Sequence, residues 1–279
     1  MIYINRNGQL EKLRKEPELH QNRGFSYGDA LFDVLKFSDG KLGIVEDHYF
    51  RLMSSMRMLR MKIPNHFTLE GYEKEILSTL EANAINDFAR VRVSVFRNGG
   101  GQYTPDSNQS QYLIEATAWN SKEPNDESNT PYEIELFKDY QVPSGLLSTI
   151  KTNNRLINVL GSVFAKDNGF SNVISINERK ELVGATNANL FLVKKDRVLT
   201  PSLESGCING IIRKKVIEHF VSKEGLNVEE TAISPFELLK VDEVFLTNSI
   251  IGVKSVDKYR KKDYNKSMAN ELKRELLLM

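Results

Sequence analysis

The chain has 279 residues, of which 38 are Lys or Arg and 37 are Asp or Glu, so its net charge is close to zero. This balance gives no electrostatic reason to expect nucleic acid or an anionic membrane as the main partner. The single cysteine, Cys207, excludes an intrachain disulfide and a cysteine-rich zinc site. Because no apolar stretch could span a bilayer and the first residues lack a secretory pattern, we expect a cytoplasmic protein.

Strand-like and helical patterns alternate along the chain. Runs rich in β-branched and aromatic residues predict strands at MIYIN, DVLKF, KLGIV, RVRVSVF, QYLIEATAW, YEIELF, NVISI, LFLV and DEVFLT. Apolar spacing predicts helices in EDHYFRLMSSMRMLRM, LEGYEKEILSTLEANA, NNRLINVLGSVFAKDNG, GIIRKKVIEHFVSKEG and KKDYNKSMANELKRELLLM. Asp39-Gly40 predicts a tight hairpin turn, and Asn168-Gly169 and Gly225 predict helix ends. Hairpins mixed with helices favour an α+β fold over a doubly wound sheet.

The polar segment NSKEPNDESNTP, at residues 120–131, is the best candidate for a linker. We therefore predict a small α/β lobe at residues 1–119 and a larger lobe at residues 132–279. The stretch RNGGGQY lies between two predicted strands, which favours a flexible hairpin over a phosphate-binding loop that opens a helix. The four histidines are dispersed, so no metal site is predicted.

Lys151 stands where an apolar run that ends in Thr149-Ile150 gives way to a helical pattern. Lysine is seldom buried, because its charge must be paired or lost when it leaves water. The simplest interpretation is therefore a lysine at the exposed end of a strand.

Four segments, in this order and at these separations, resemble the fold-type-IV family of pyridoxal-phosphate-dependent enzymes. They are residues 21–52, the Lys151 segment, residues 177–213 and residues 242–256. The family includes branched-chain aminotransferases, D-amino-acid aminotransferases and aminodeoxychorismate lyases. The resemblance implies a two-lobed α+β fold with mixed and antiparallel sheets, flanking helices and the cofactor in the cleft between the lobes. It also implies a homodimer.

The resemblance assigns Lys151 to a Schiff base with the aldehyde of pyridoxal phosphate, which makes loss of the substrate α-proton feasible. Arginine could not replace this lysine, since it stays protonated. Arg51, in DHYFRL, matches the arginine that binds the cofactor phosphate with its planar fork. The amides of Ile211 and Ile212, at the start of a helix, and the hydroxyl of Ser249 are expected at the same phosphate.

Further cofactor and substrate contacts are implied by the same resemblance. Polar contacts near the cofactor are expected from Asn154, Thr186 and Asn187. Substrate contacts are expected from Tyr27, Lys36, Arg97 and Tyr103. Arg97 could hold a substrate carboxylate, although an exposed hairpin is an equal alternative for this stretch.

Gly184 stands where relatives carry a glutamate that pairs with the pyridine nitrogen, and glycine cannot make that contact. Glu181 would lie about 10 Å away along a strand, too far to replace it unless the strand bulges.

Three functions stay open. The first is an aminotransferase that acts on an α-amino acid. The second is an aminodeoxychorismate lyase that takes an amino-substituted chorismate and releases pyruvate and 4-aminobenzoate. The third, motivated by Gly184, is a cofactor-binding protein with impaired turnover. The segment NGIIR, with Ile212 where many relatives have threonine, favours the lyase.

Overall fold

The structure, a computed structural model, describes residues 2–12, 22–119, 130–222 and 227–276. The chain divides into two units: Met1–Pro124 with Lys151–Asn154, and Asn125–Ile150 with Arg155–Met279. The predicted linker lies outside the described residues as far as residue 129. The first unit therefore takes in four residues, Lys151–Asn154, that the sequence places in the second predicted lobe.

One antiparallel sheet forms the framework of the first unit. Its strands are β1 (Tyr3–Arg6), β2 (Gln9–Lys12), β3 (Ala30–Ser38), β4 (Lys41–Leu42), β5 (Phe88–Arg97) and β6 (Ser110–Ala118). They lie in the order β2-β1-β6-β5-β3-β4. The helices are α1 (Arg23–Tyr27), α2 (Val45–Met58) and α3 (Leu69–Ala82). Helices α2 and α3 pack against β3, β1 and β6, so they cover one face of the sheet.

Period-two alternation along β5 sets which side chains enter this core. Its odd-numbered residues, Ala89, Val91, Val93 and Val95, are buried. The intervening residues point to the opposite face, as the pleat of a strand requires. The predicted tight turn is confirmed, since Asp39 (φ 51°) and Gly40 (φ 77°) both have positive φ between β3 and β4. Strand β4 ends at Leu42, earlier than predicted, because the chain turns into α2.

The second unit contains two mixed sheets. The strands are β7 (Glu133–Val142), β8 (Asn172–Asn177), β9 (Leu182–Ala185), β10 (Asn189–Lys194), β11 (Arg197–Pro201), β12 (Asn227–Thr231), β13 (Glu243–Asn248), β14 (Gly252–Ser255), β15 (Lys258–Tyr259) and β16 (Lys262–Asp263). Their orders are β16-β15-β7-β8-β9 and β12-β11-β10-β13-β14. The helices are α4 (Leu146–Thr149), α5 (Leu156–Asp167), α6 (Ile211–Ser222) and α7 (Ser267–Leu276). Stacked rings of Phe191 and Phe245, 4.9 Å apart, join β10 to β13 in the core.

The predicted α+β fold with mixed and antiparallel sheets is confirmed, and helices occur in all five predicted helical segments. Helix α5 ends at Asn168-Gly169 as predicted, whereas Gly225 lies outside the described residues. The predicted strand end before Lys151 was wrong, because Leu146–Thr149 form one helical turn. Among the described residues, no helix has the length and apolar composition that a bilayer-spanning segment needs. The same residues contain no cluster of side chains that could hold a metal ion.

Substitution of Leu35 by alanine should lower the free energy of unfolding by about 2–5 kcal/mol, because it leaves a cavity in the core of the first unit. Leu35 is fully buried in β3, whereas Leu77 on α3 is 40% exposed and serves as the control. Chemical denaturation of Leu35→Ala and Leu77→Ala measures the difference. Equal losses in the two variants would contradict the described core.

Candidate active site

Lys151 lies in a short extended segment that pairs with the beginning of β3. The N–H of Phe32 donates to the carbonyl of Lys151 at 2.9 Å, and Leu31 and Thr152 form an antiparallel bridge. Opposite residues of an antiparallel pair point to the same face. Lys151 therefore shares a face with Phe32, and its Nζ lies 4.8 Å from the centroid of the Phe32 ring. The pairing fixes the backbone that carries this amine.

The structure brings other predicted residues of the first unit towards this segment. The Nδ2 of Asn154 donates to the carbonyl of Gly28 at 3.3 Å. Gly28 has a φ of 65°, and a Cβ there would come within 2.0 Å of the Asn154 Oδ1, so only glycine fits. Next to it, the ring of Tyr27 lies 6.0 Å from that of Tyr103, which is highly exposed. Lys36 is half-buried in β3, four residues after Phe32.

Arg51 makes a bidentate ion pair with a buried aspartate. Its Nε and Nη2 donate to Asp33 Oδ2 and Oδ1 at 2.9 and 2.6 Å, and His48 Nδ1 lies 2.8 Å from Oδ1. Burial alone would raise the pKa of the Asp33 carboxyl, but the charges of Arg51 and His48 outweigh it and hold that pKa well below its usual range. The Nε–Nη2 edge of Arg51 faces Asp33, so the predicted two-pronged phosphate contact would have to use the Nη1 side.

Arg97 is buried and its guanidinium is already bonded within the protein. Nε donates to Asp29 Oδ2 at 2.9 Å, Nη1 to Asn108 Oδ1 at 2.6 Å and Nη2 to the carbonyl of Leu59 at 2.7 Å. A substrate carboxylate would have to displace these acceptors. In the structure, Arg97 therefore holds Asn108 of the β5–β6 connection, and its contact with a substrate stays a prediction.

The glycine-rich loop between β5 and β6 is tied down by Arg23, a residue that sequence reasoning missed. Its Nη1 donates to the carbonyls of Gly100, Gly101 and Gln102 at 3.0, 3.2 and 2.8 Å. A Cβ on Gly101 would lie 2.3 Å from the carbonyl of Thr104, so the loop folds tightly on itself. The sequence predicted a flexible hairpin here and gave no indication of these three hydrogen bonds. No local signal could have revealed them, since donor and acceptors are more than seventy residues apart.

In the second unit, Asn189 shapes the start of helix α6. Its Nδ2 donates to the carbonyl of Ile208 at 2.7 Å, and a Cβ on Gly210 would come within 2.0 Å of its Oδ1. The helix begins at Ile211, and the first amides of a helix have no acceptor within it. The side chain of Ile212 packs against an apolar cluster. Only the backbone amide of this residue is therefore a candidate donor to a phosphate.

A network around Asn172, a second residue missed from sequence, holds the other predicted positions of this unit. The amide and Oγ1 of Thr186 donate to Asn172 Oδ1 at 3.2 and 2.9 Å, and Asn172 Nδ2 donates to Asn187 Oδ1 at 3.0 Å. Asn248 Nδ2 donates to the carbonyl of Asn187 at 2.9 Å. Because Ser249 follows Asn248, its turn lies beside the same segment.

Gly184 lies in β9 opposite Ser175, and a Cβ there would be 3.1 Å from the carbonyl oxygen of Ala188. Glu181 does not replace the missing carboxylate. Its side chain accepts hydrogen bonds from Arg179 at 2.8 and 3.1 Å, and these bonds lower the pKa of the Glu181 carboxyl. Glu181 is therefore engaged in a local ion pair.

Comparison with known proteins places these residues in a family. A sequence profile of the amino-transferase class IV family matches residues 30–259. This chain belongs to the class IV aminotransferase family. It is similar to an aminodeoxychorismate lyase from Vibrio harveyi, with 26% identity over 244 residues and 84% of each chain covered.

Solved structures of the family share the fold. A branched-chain amino acid aminotransferase from Escherichia coli matches 100% of this chain and 94% of its own, with a TM-score of 0.88 and 18% identity. The pyridoxal-phosphate form of the enzyme from Thermobaculum terrenum matches 99% and 93%, with a TM-score of 0.84 and 20% identity. Class IV members are pyridoxal-phosphate-dependent aminotransferases or lyases, so the predictions of family, enzyme class and cofactor are confirmed.

Each unit by itself carries donors that suit a polar end of pyridoxal phosphate. In the first unit, the amine of Lys151 suits an aldehyde and the guanidinium of Arg51 suits a phosphate. In the second unit, the first amides of helix α6, at Ile211 and Ile212, suit a phosphate. Gly184 supplies no partner for the ring nitrogen. By donor chemistry, the residues present fit the cofactor at its aldehyde and phosphate ends.

Substitution of Asp33 by asparagine should destabilise the protein by about 3 kcal/mol or more, because it removes a buried carboxylate that pairs with the largely buried Arg51. The pKa of the Asp33 carboxyl lies below its usual 3.8, so this stabilisation is complete above that pH and is lost as the pH falls. Chemical denaturation at a series of pH values should show the difference from wild type shrinking below about pH 4.

Asp87, an exposed aspartate of the same unit, provides the matched control. Asp87→Asn should change the free energy of unfolding by about 0.5 kcal/mol or less. A loss in Asp33→Asn that is as small as that of the control, or that does not depend on pH, would refute the role of Asp33.

Proposed function

We propose that the chain is a pyridoxal-phosphate-dependent aminotransferase that acts on an α-amino acid, with Lys151 as its catalytic lysine. The observation that carries this proposal is the placement of the Lys151 amine. A lysine at the exposed end of a strand would not require backbone pairing that fixes its position. Lys151 instead lies in a segment that crosses to the first unit and pairs with β3, with its Nζ over the ring of Phe32.

Several residues are proposed to hold the cofactor. Arg51 would bind the phosphate together with the amides of Ile211 and Ile212 and the hydroxyl of Ser249. Thr186, Asn187 and Asn154 would offer polar contacts to the rest of it. Pyridoxal phosphate, when bound, supplies an aldehyde that condenses with amines and a conjugated ring that withdraws electrons from the substrate α-carbon.

The proposed task of Lys151 is to move a proton. Its Nζ would accept the proton from the substrate α-carbon and return it to a neighbouring atom, which is general acid–base catalysis by a positioned side chain. Such transfer needs the amine within hydrogen-bond reach of that carbon. Backbone pairing to β3 supports this role, because it holds the lysine main chain and leaves only the side chain to move.

A lyase is the second candidate, and Ile212 favours it. The side chain of Ile212 is packed in an apolar cluster, so no hydroxyl reaches from this position. A lyase would use the same proton transfer by Lys151 but would then release pyruvate from an amino-substituted chorismate. The two functions differ in whether a second keto acid is consumed. For either one, we propose a cytoplasmic homodimer on the basis of the family resemblance.

Borohydride treatment of the protein with pyridoxal phosphate should leave a reduced adduct on the peptide that contains Lys151. Lys151→Arg keeps the charge but cannot form the adduct, because a guanidinium does not condense with aldehydes. Lys41→Arg makes the same change at an exposed position of β4 and should leave the adduct in place. Peptide mapping by mass spectrometry provides the measurement, and an adduct confined to other lysines would refute the proposal.

The third candidate, a cofactor-binding protein with impaired turnover, is motivated by Gly184. A carboxylate at that position should stabilise the developing negative charge, so Gly184→Glu should exchange the α-proton of an amino acid about tenfold faster or more. Gly184→Ala is the matched control, since both variants place a Cβ 3.1 Å from the Ala188 carbonyl. Deuterium exchange into a panel of L- and D-amino acids, followed by NMR, measures the rate. Equal rates in the two variants would show that the carboxylate does not limit turnover.

A further inference from the structure

Two segments of the second unit are bonded to each other just before they reach residues with proposed roles. Residues 143–150, the lysine-side segment, lead into Lys151, and residues 202–210, the helix-side segment, lead into α6. The N–H of Asn209 donates to the carbonyl of Thr149 at 2.9 Å. This bond lies two residues before Lys151 on one segment and two residues before the start of α6 on the other.

The same two segments also touch closer to their beginnings. Gly206 of the helix-side segment has a φ of 91°, in the left-handed region that favours glycine. A Cβ there would lie 2.8 Å from the carbonyl oxygen of Pro143 and 3.3 Å from the Cα of Ser144. The two backbones therefore approach more closely than a side chain at position 206 would permit.

The turn between β8 and β9 is attached to the helix-side segment by a buried amide. Asn177 is fully buried, and its Oδ1 accepts the N–H groups of Arg179 and Glu181 at 3.0 and 2.9 Å. Its Nδ2 donates to Glu181 Oε2 at 2.7 Å and to the carbonyl of Ser205 at 3.2 Å. The side chain of Asn177 therefore fixes the shape of the turn as well as its place beside this segment.

Arg179, in the same turn, bridges the two segments. Its Nη1 donates to Ser144 Oγ at 2.7 Å on the lysine-side segment, and its Nη2 donates to the carbonyl of Glu204 at 3.0 Å on the helix-side segment. Glu181 Oε2 accepts from its Nε and Nη2 at 3.1 and 2.8 Å, which orients the guanidinium plane. Glu178 Oε2 accepts the N–H of Ser144 at 3.0 Å. Four residues together form this turn clamp: Asn177, Glu178, Arg179 and Glu181.

The exposure of Arg179 favours a geometric role over a stabilising one. An exposed ion pair contributes little to folding, because water and salt screen it. A planar guanidinium nevertheless directs its N–H groups along fixed lines, so it can hold several acceptors in one arrangement. Arg179 uses this property to connect a carboxylate, a hydroxyl and a carbonyl that belong to three separate segments.

We propose that the turn clamp sets the spacing between the lysine-side and helix-side segments, so that the aldehyde and the phosphate of one pyridoxal phosphate molecule bind together. The inference rests on the proposed function and identifies Arg179 as a positioning residue. Two contacts made by one molecule strengthen each other only if their sites are held at the distance that the molecule spans. A looser spacing weakens the joint binding and leaves each separate contact nearly unchanged.

Three probes separate the joint binding from its parts: pyridoxal phosphate, pyridoxal, which lacks the phosphate, and inorganic phosphate. Absorbance titration of the cofactor-free protein measures the two aldehydes, and calorimetry measures phosphate. Arg179→Gln should lower the affinity for pyridoxal phosphate about tenfold, a modest part of the ~10²–10⁴ that linkage can contribute. The affinities for pyridoxal and for phosphate should each change by about twofold or less.

Matched variants keep the test decisive. Arg197→Gln makes the same change at another exposed arginine of this unit, whose guanidinium pairs with Glu229 of β12, and should leave the affinity for pyridoxal phosphate unchanged. Ser144→Ala removes the lysine-side partner of Arg179 and should show the same selective loss, even if Arg179→Gln folds poorly. Arg179→Lys keeps the charge without the fork and should retain part of the affinity.

The pattern of losses decides between the clamp and a general structural effect. An equal fall in the affinities for pyridoxal phosphate and pyridoxal in Arg179→Gln would overturn the clamp, and so would an equal loss in Arg197→Gln. Borohydride mapping of wild type reports on Lys151 independently. An adduct on Lys151 without a selective loss in Arg179→Gln would overturn the clamp and leave the proposed function standing, whereas no adduct on Lys151 would overturn both.

Discussion

The candidate site of the first unit depends on one backbone pairing, between the segment at Lys151 and the beginning of β3. The N–H of Phe32 and the carbonyl of Lys151 are separated by more than one hundred residues in sequence, yet they form a ladder bond of 2.9 Å. Because opposite residues of an antiparallel pair point to one face, this bond also decides where the amine goes. A shift of the pairing by one residue would turn Lys151 towards the face that α2 and α3 cover.

The two faces of that sheet differ in the partners that they provide for arginine side chains. On the side of α2, Asp33 accepts from Arg51 and His48 within 3.0 Å, and the carboxyl stays ionised although it is buried. Charges interact more strongly where water is excluded, so an arginine there needs a fixed partner. On the opposite face, Arg92 lies across from the exposed Glu115 of β6, and its Nε donates to Ser94 Oγ at 3.0 Å. The acidic partner of an arginine is therefore buried and fixed on one face of the sheet and exposed on the other.

Sequence reasoning succeeded where a feature is local or carried by a family motif. The alternation of β5 and the Asp39-Gly40 turn depend on residues that are neighbours in sequence, and both were predicted correctly. Two-residue strands such as Lys258–Tyr259 were missed, because a run that short has no detectable period. The structural role of Arg97 was missed for another reason. Its acceptors come from segments that only the folded chain brings together, so no local pattern reveals them.

Gly184 connects local packing with chemistry. The carbonyl oxygen of Ala188 accepts the N–H of Ala185 at 2.9 Å, which closes a tight turn onto β9. The same oxygen lies 3.1 Å from the place of a Cβ at position 184, so any side chain there would press on the backbone of the turn. The residues of that turn, Thr186 and Asn187, are held by Asn172 and cannot move independently. A carboxylate at position 184 would thus strain the segment that carries two proposed cofactor contacts. The absence of a side chain at position 184 and the tightness of the turn are therefore coupled.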